Sequence, residues 1–177
     1  MTEYPSLPMI TSKNNLNYQI SEGLSDEDFA QIIVFAKTDS IVAEQTSDAH
    51  RFENKETAQS WLQKNNKKFY TLHKTNDHIL AGIIWFEPLT IPDQFINDYP
   101  DCRWTFAIRI YKNARGEGLS IPFMKTCFAD FWQKNPNKTV WLSTRINNSI
   151  PQHIYEKFGF KQIGINQERT FFAISPK

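Results

Sequence analysis

Residues 1–15 show no hydrophobic period and carry Pro5 and Pro8, so they read as a loose N-terminal arm. Leu16 to Ile20 alternate weakly, as an opening strand does. Ser25, followed by Asp26, Glu27 and Asp28, offers a capping hydroxyl and an acidic first turn. Phe29, Ile32, Ile33 and Ala36 follow at i, i+3, i+4 and i+7, one face of a helix. A second helix is expected from Asn54, using Ala58, Trp61 and Leu62, while residues 38–52 fit no single template. Lys68 to His73 and His78 to Phe86 read as strands around a Thr75-Asn76-Asp77 turn, with His73 and His78 exposed beside it. Glu87 to Cys102, with Pro88, Pro92 and Pro100, reads as a long surface loop, and such loops are often functional. Arg103 to Tyr111 is the strongest strand, with Trp104, Phe106, Ile108 and Ile110 on one face.

The second half alternates more clearly. Phe123, Met124, Cys127, Phe128 and Phe131 form a helical stripe that Asn135-Pro136-Asn137 ends, and Thr139 to Thr144 reads as another strand. Strand, helix, strand in that order predicts a right-handed βαβ crossover between parallel strands. Ser149-Ile150-Pro151-Gln152 resembles a capping box with Pro in the first turn. Ile150, Ile154 and Phe158 would then face the core, with Gly159 as the left-handed cap. Phe160 to Gly164 and Arg169 to Ile174 read as closing strands. The sum is an α/β domain with a mixed sheet.

Composition narrows the class. A chain of 177 residues, 40% hydrophobic and 22% charged, is ordinary for one soluble domain, and 14 Phe point to an aromatic core. A net charge of +1 argues against nucleic acid or an anionic membrane as the main partner. Lys64, Lys67 and Lys68 read as a solvated helix end. Cys102 and Cys127 have no metal-ligand or redox spacing, the four histidines form no metal motif, and nothing points to a metal. No secretory signal is legible and the longest apolar run is too short to span a bilayer, so the expected setting is cytoplasmic.

Gly116 and Gly118 lie between the strand ending at Tyr111 and the helix beginning near Leu119. Successive backbone N–H groups and the helix dipole converge on an anion at such a junction, and glycine leaves room for the approach. Arg115 can add a charge-assisted bond. A plain glycine turn fits the same residues. The Gly-x-x-x-x-Gly-Lys-Ser/Thr loop is absent, and a dinucleotide fingerprint lacks its third glycine near Ile121.

Three features coincide in order: Arg115-Gly116-Glu117-Gly118-Leu119-Ser120 after a strand, Asn148 after the next, and Tyr155-Glu156-Lys157-Phe158-Gly159-Phe160. Together they resemble the GNAT superfamily of N-acetyltransferases, with its Arg/Gln-x-x-Gly-x-Gly/Ala loop and later Asn-x6-Tyr-x3-Gly-Phe helix. The resemblance implies an acyl-CoA N-acyltransferase-like fold over residues 16–177: a mixed, mostly antiparallel sheet with a central βαβ crossover and helices on both faces. It implies acetyl-CoA as the acyl donor. The backbone of Ile108, Arg109 and Ile110 would pair with pantetheine, and the amides of Arg115, Gly116, Glu117, Gly118, Leu119 and Ser120 would take the pyrophosphate. Asn148 would reach the pantetheine, and Tyr155 would protonate the leaving thiolate. A tyrosine, with a reference pKa near about 10, remains a neutral donor at neutral pH. A backbone N–H can stabilise the tetrahedral oxyanion, an effect worth roughly 3–4 kcal/mol.

The expected activity is therefore acetyl transfer to a primary amine of a small molecule or peptide. A non-catalytic coenzyme-binding module and a transferase of longer acyl groups are the alternatives. Ser120 and Pro151 depart from the pattern, and Arg103 to Tyr111 holds no acid to act as base. Glu87, Asp98, Asp101, His153 and water all stay open for that role. Arg109 projects opposite Ile108 and Ile110, which fits a structural ion pair better than a substrate contact, and Arg145 shares the ambiguity with better access. The acceptor would sit against the 87–102 loop and the first helices, and a homodimer through the C-terminal strands is left open.

Overall fold

A computed structural model describes residues 5–75, 77 and 79–176. Its strands are β1 (Ser6–Thr11), β2 (Asn17–Glu22), β3 (Lys68–Lys74), β4 (Leu80–Pro88), β5 (Cys102–Ile110), β6 (Thr139–Arg145), β7 (Lys161–Ile165) and β8 (Arg169–Ile174). They form one sheet in the order β1-β2-β3-β4-β5-β6-β8-β7. Only β5 and β6 are parallel; the other neighbours are antiparallel. The helices are α1 (Asp26–Thr38), α2 (Ser40–Gln45), α3 (Asp48–Arg51), α4 (Lys55–Gln63), α5 (Asp93–Ile96), α6 (Ser120–Lys134) and α7 (Ser149–Phe158). The β5-α6-β6 crossover and the mostly antiparallel sheet agree with the expected fold class.

Strand alternation distributes the core between two faces. Trp104, Phe106, Ile108 and Ile110 turn to one face, against Phe123, Met124, Cys127, Phe128 and Phe131 of α6. Ile154, Tyr155 and Phe158 of α7 pack on the same cluster. Ala107 and Trp85 turn the other way, onto Phe29, Ile32 and Ala36 of α1, Val42 of α2 and Ala58 of α4. On that second face α5 covers Trp141, Phe171 and Ala173 through Phe95 and Ile96.

One gap interrupts the sheet. Pairing between β5 and β6 is confined to Cys102–Thr105 and Thr139–Trp141. Beyond Thr105 the strands diverge, while each keeps its outer neighbour to the end. A split therefore opens mid-sheet toward the C-terminal ends of β5 and β6.

Several expectations change. The N-terminal arm is not loose over its central part, because β1 pairs with β2 and buries Ile10. Pro8 lies in the register irregularity between Leu7 and Ile10 of this edge strand, which is where a strand tolerates proline and why its period was hidden. The 87–102 segment is shorter as a loop: β4 runs to Pro88, and Leu89 and Ile91 donate to Arg103 and Cys102 before α5. Lys67 is not solvated; its ammonium bonds to the carbonyls of Trp61 and Lys64, pairs with Glu87 at 3.4 Å and lies over the Trp61 ring. His73 is half-buried and bonded to Asp28 at 2.5 Å, while His78 and Asn76 lie outside the described residues. The capping box at α7 does not form: Asn148 is the N-cap, so Ser149 is already helical, and Gln152 bonds instead to the carbonyls of Arg145 and Ile146. That one-residue shift leaves Ile150 exposed. Among the described residues no helix is long and apolar enough to cross a membrane.

Candidate active site

The glycine loop stands at the mouth of the split. Gly116 and Gly118 adopt φ of 85° and 76°, the left-handed region that favours glycine. Among the described residues, a Cβ on Gly116 would meet nothing within 4 Å, and one on Gly118 only Lys13 Cβ at 3.9 Å. Packing therefore does not exclude side chains there; the backbone conformation disfavours them, and the space above the loop is open. Helix α6 starts with Leu119 as N-cap and no side-chain cap bond. Among the described residues no acceptor takes the amides of Gly118, Leu119, Ser120 or Ile121. Uncapped donors at a helix N-terminus suit an anion.

Three tethers hold the loop from behind. Asp39, the N-cap of α2, accepts from Arg115 Nη2 at 2.6 Å and from Lys112 N at 3.0 Å. Burial would raise the Asp39 carboxyl, but the Arg115 bond and charge hold it below its ordinary value. Glu117 accepts from the Tyr18 hydroxyl at 3.0 Å, and burial with this bond pushes Tyr18 up to about 12. Glu117 O accepts from Lys13 N at 3.1 Å. The Glu117 charge is thus drawn toward β2, and the engaged Arg115 nitrogen toward the α1–α2 junction.

The edge of β5 is polar and addressed. Tyr111 N donates to Ala81 O, and Leu89 N to Arg103 O, so the odd-numbered residues of β5 face β4. Phe106, Ile108 and Ile110 consequently present N–H and C=O groups to the split. The Ile108 carbonyl accepts from Arg109 Nη1 at 2.9 Å and the Ile110 carbonyl from Arg115 Nη2 at 3.2 Å. Arg109 itself crosses to Asp48 with Nε–Oδ2 at 2.7 Å and Nη2–Oδ1 at 2.9 Å, over the Trp85 ring. Burial would lower the guanidinium's pKa, but Asp48 raises it, so Arg109 stays charged. The structural ion pair expected for Arg109 is present.

Tyr155 of α7 lies against Phe106, the first β5 residue beyond the stretch paired with β6. Its ring packs on Phe106, Phe160 and Phe172, on the α6–α7 face. Its hydroxyl interacts electrostatically with Arg109, whose side chain lies on the other face. Burial pushes this hydroxyl above the ordinary tyrosine value, against the opposing pull of Arg109. Asn148, half-buried before α7, spends no side-chain bond on capping.

The candidate bases separate geometrically. Asp98 and Asp101 are exposed at the start of β5, and Asp101 lies roughly 23 Å from Ile108 at ~3.3 Å per residue. His153 is exposed, and two residues along a helix place it about 200° around from Tyr155. Glu87 lies on the α1–α4 face, opposite Thr105, with Asn65 at 2.7 Å and Lys67 at 3.4 Å. Cys102 is buried and its thiol is pushed up to about 11, so it is no nucleophile. Two surface hollows, of about 480 and 440 Å³, lie elsewhere, beside Phe69 and beside Leu7, and hold none of these groups.

The partners Asp39 and Asp48, with Arg51 beside Asp48, and Arg169 on β8 were not singled out by sequence. Asp39 and Asp48 do stand at helix starts, a legible signal, but their arginines lie 76 and 61 residues away.

No protein-family model and no curated protein sequence matches the chain. Solved structures do match. A GNAT-family acetyltransferase from Listeria monocytogenes has a TM-score of 0.64 at 14% identity, over 96% of this chain and 100% of that one. The spermidine N-acetyltransferase of Vibrio cholerae, in complex with CoA and spermine, has a TM-score of 0.68 at 16% identity, over 88% and 95%. The fold is that of the GNAT acetyltransferases. A third GNAT-fold neighbour, the N-acetyltransferase PseH of Campylobacter jejuni in complex with acetyl coenzyme A, has a TM-score of 0.59 at 14% identity, over 90% and 99%. In this chain's GNAT fold, the glycine loop follows the free end of β5 and Tyr155 packs on Phe106 where the split begins, whereas Asp98 and Asp101 lie at the other end of β5 and His153 is exposed.

Proposed function

We propose that this chain is an acetyl-CoA-dependent N-acetyltransferase acting on a primary amine of a small molecule or peptide. The observation that carries the reading is the split between β5 and β6, with the uncapped N-terminus of α6 following β5 and the Tyr155 ring packed on Phe106 beside it. The CoA and acetyl coenzyme A bound by the Vibrio and Campylobacter neighbours support the choice of donor.

The pyrophosphate would rest on the amides from Arg115 to Ser120, with Arg115 itself positioning the loop through Asp39. The pantetheine arm would lie along Ile108, Arg109 and Ile110, using the N–H groups of Ile108 and Ile110, with Asn148 on its other side. The amine nitrogen attacks the thioester carbonyl, and a β5 N–H receives the developing oxyanion. The C–S bond then breaks, Tyr155 gives its proton to the departing thiolate, and the nitrogen's surplus proton passes to water. Glu87, on the acceptor face, can receive it through that water. A coenzyme-binding module without transfer is favoured by one observation, the lack of any carboxylate on β5.

Two measurements test the proposal. Acetyl-CoA should raise the melting temperature, and a panel of primary amines should release free thiol from it. No thermal shift with acetyl-CoA would overturn the donor assignment; a shift without thiol release from any amine would leave the binding module as the function.

A further inference from the structure

On the α1–α4 face, at the end of β6 that lies beyond its pairing with β5, two arginines stand side by side. Arg145 of β6 and Arg169 of β8 are direct cross-strand partners, an arrangement of like charges that disfavours pairing. Arg169 is half-buried, and its Nε and Nη2 bond only to Ser143, to Oγ and to the carbonyl, each at 2.8 Å. No carboxylate among the described residues forms an ion pair with Arg145 or Arg169. Burial depresses the Arg169 pKa, and Arg145 and Arg51 depress it further.

The nearby acids do not neutralise the group. Asp48 gives both oxygens to Arg109, so Arg51 is left a single contact to it at 3.4 Å. Glu87 is held by Lys67 and Asn65. Glu168, at the exposed β7–β8 turn, attracts Arg169 without an ion pair. Arg145 and Arg169 are therefore paired with each other across the strands and with no carboxylate among the described residues, and Arg51, itself held by Asp48, adds to the positive field at Arg169. Such a field costs folding energy unless a ligand answers it, and guanidinium forks match a carboxylate in two-point geometry.

We propose that Arg145 and Arg169 recognise a carboxylate on the amine acceptor, making the acceptor an amino-acid-like amine rather than a polyamine; this rests on the acetyl-transfer reading above. The carboxylate can belong to a free amino acid or to a peptide, and the amine end of either would approach the split while the acid end meets the arginines.

Product-like ligands test this without turnover. N-acetylglycine and N-acetylglycinamide differ by one negative charge, and their binding to the full chain can be compared by calorimetry with and without saturating CoA, beside spermine. We expect N-acetylglycine to bind about tenfold more tightly than the amide. Arg145→Glu, at an exposed position, should reverse that preference, and Arg169→Gln should remove it. An acetylated dipeptide with a free carboxyl, run beside its amide, distinguishes peptide from free amino acid as the source. Equal binding of acid and amide, or tighter binding of spermine, overturns the proposal. Failure of the acetyl-transfer reading shows separately, as loss of CoA binding with the acid preference intact.

Discussion

Arg109 on β5 and Asp48 at the start of α3 form a two-point ion pair that ties the open edge of the split to the helices above it. Both partners are largely withdrawn from water, with side-chain exposures of 14% and 3%. Breaking one half of such a pair leaves an uncompensated buried charge, which costs about 3–5 kcal/mol. Asp48→Asn should lower the urea midpoint accordingly, and adding Arg109→Met should recover most of the loss. Equal destabilisation by the single and double variants would show that the pair's charge is not what matters.

The same pair sets an acid limit on stability. Burial would raise the Asp48 carboxyl, but Arg109 overcomes this and holds it below its unfolded value. A carboxylate depressed in the folded state contributes stability above its unfolded pKa, near about 4, and loses it as pH falls through the folded value. Thermal melts from pH 6 downward should therefore show a steeper fall for the native chain than for the Asp48→Asn, Arg109→Met double variant.

Asp39 offers a test of what Arg115 does. If Arg115 met the pyrophosphate directly, freeing it from Asp39 would tighten coenzyme binding. The geometry instead makes Asp39 the post on which Arg115, Lys112 N and the start of α2 are hung. Asp39→Asn should weaken acetyl-CoA binding, although it removes a negative charge near the proposed anion site. Titration calorimetry decides; tighter binding in the variant would make Arg115 a direct ligand.

Gly118 separates fold from function. A residue with a Cβ at its φ of 76° costs roughly 1–2 kcal/mol, yet nothing stands closer to that Cβ than Lys13 at 3.9 Å. Gly118→Val should fold with a modestly lower melting temperature and show no acetyl-CoA shift. A native-sized shift in that variant would refute the loop as the pyrophosphate site.

The sequence announced those features whose causes are local. Gly116, Gly118, the α6 stripe and the alternation of β5 are short-range patterns, and each reappears in the structure. Features set by long-range pairing were hidden. Edge strand β1 buries only Ile10 and carries Pro8, so it left no period to read. Asp39 and Asp48 lie in a stretch of short helices that fits no template, so an ion pair was legible for Arg109 but its partner was not, and Arg115 read as an anion contact rather than as the partner of Asp39. The split has no sequence signal of its own, because it arises where pairing stops after Thr105.

Tyr155 carries the last prediction, and its surroundings make the test clean. The ring is held by Phe106, Phe160 and Phe172, none of which touches the hydroxyl's chemistry, so Tyr155→Phe keeps the packing and removes only the proton. A general acid is worth about 10²–10⁴-fold in rate. kcat should fall within that range while acetyl-CoA affinity stays within about twofold, since the proposed pyrophosphate contacts are elsewhere. The protonated hydroxyl is the active form, and burial raises its pKa, so the active window extends upward. The native enzyme's kcat should therefore show no alkaline fall up to about pH 10, the ordinary tyrosine range. A native-like kcat in Tyr155→Phe would remove the tyrosine from the mechanism and pass protonation of the thiolate to solvent.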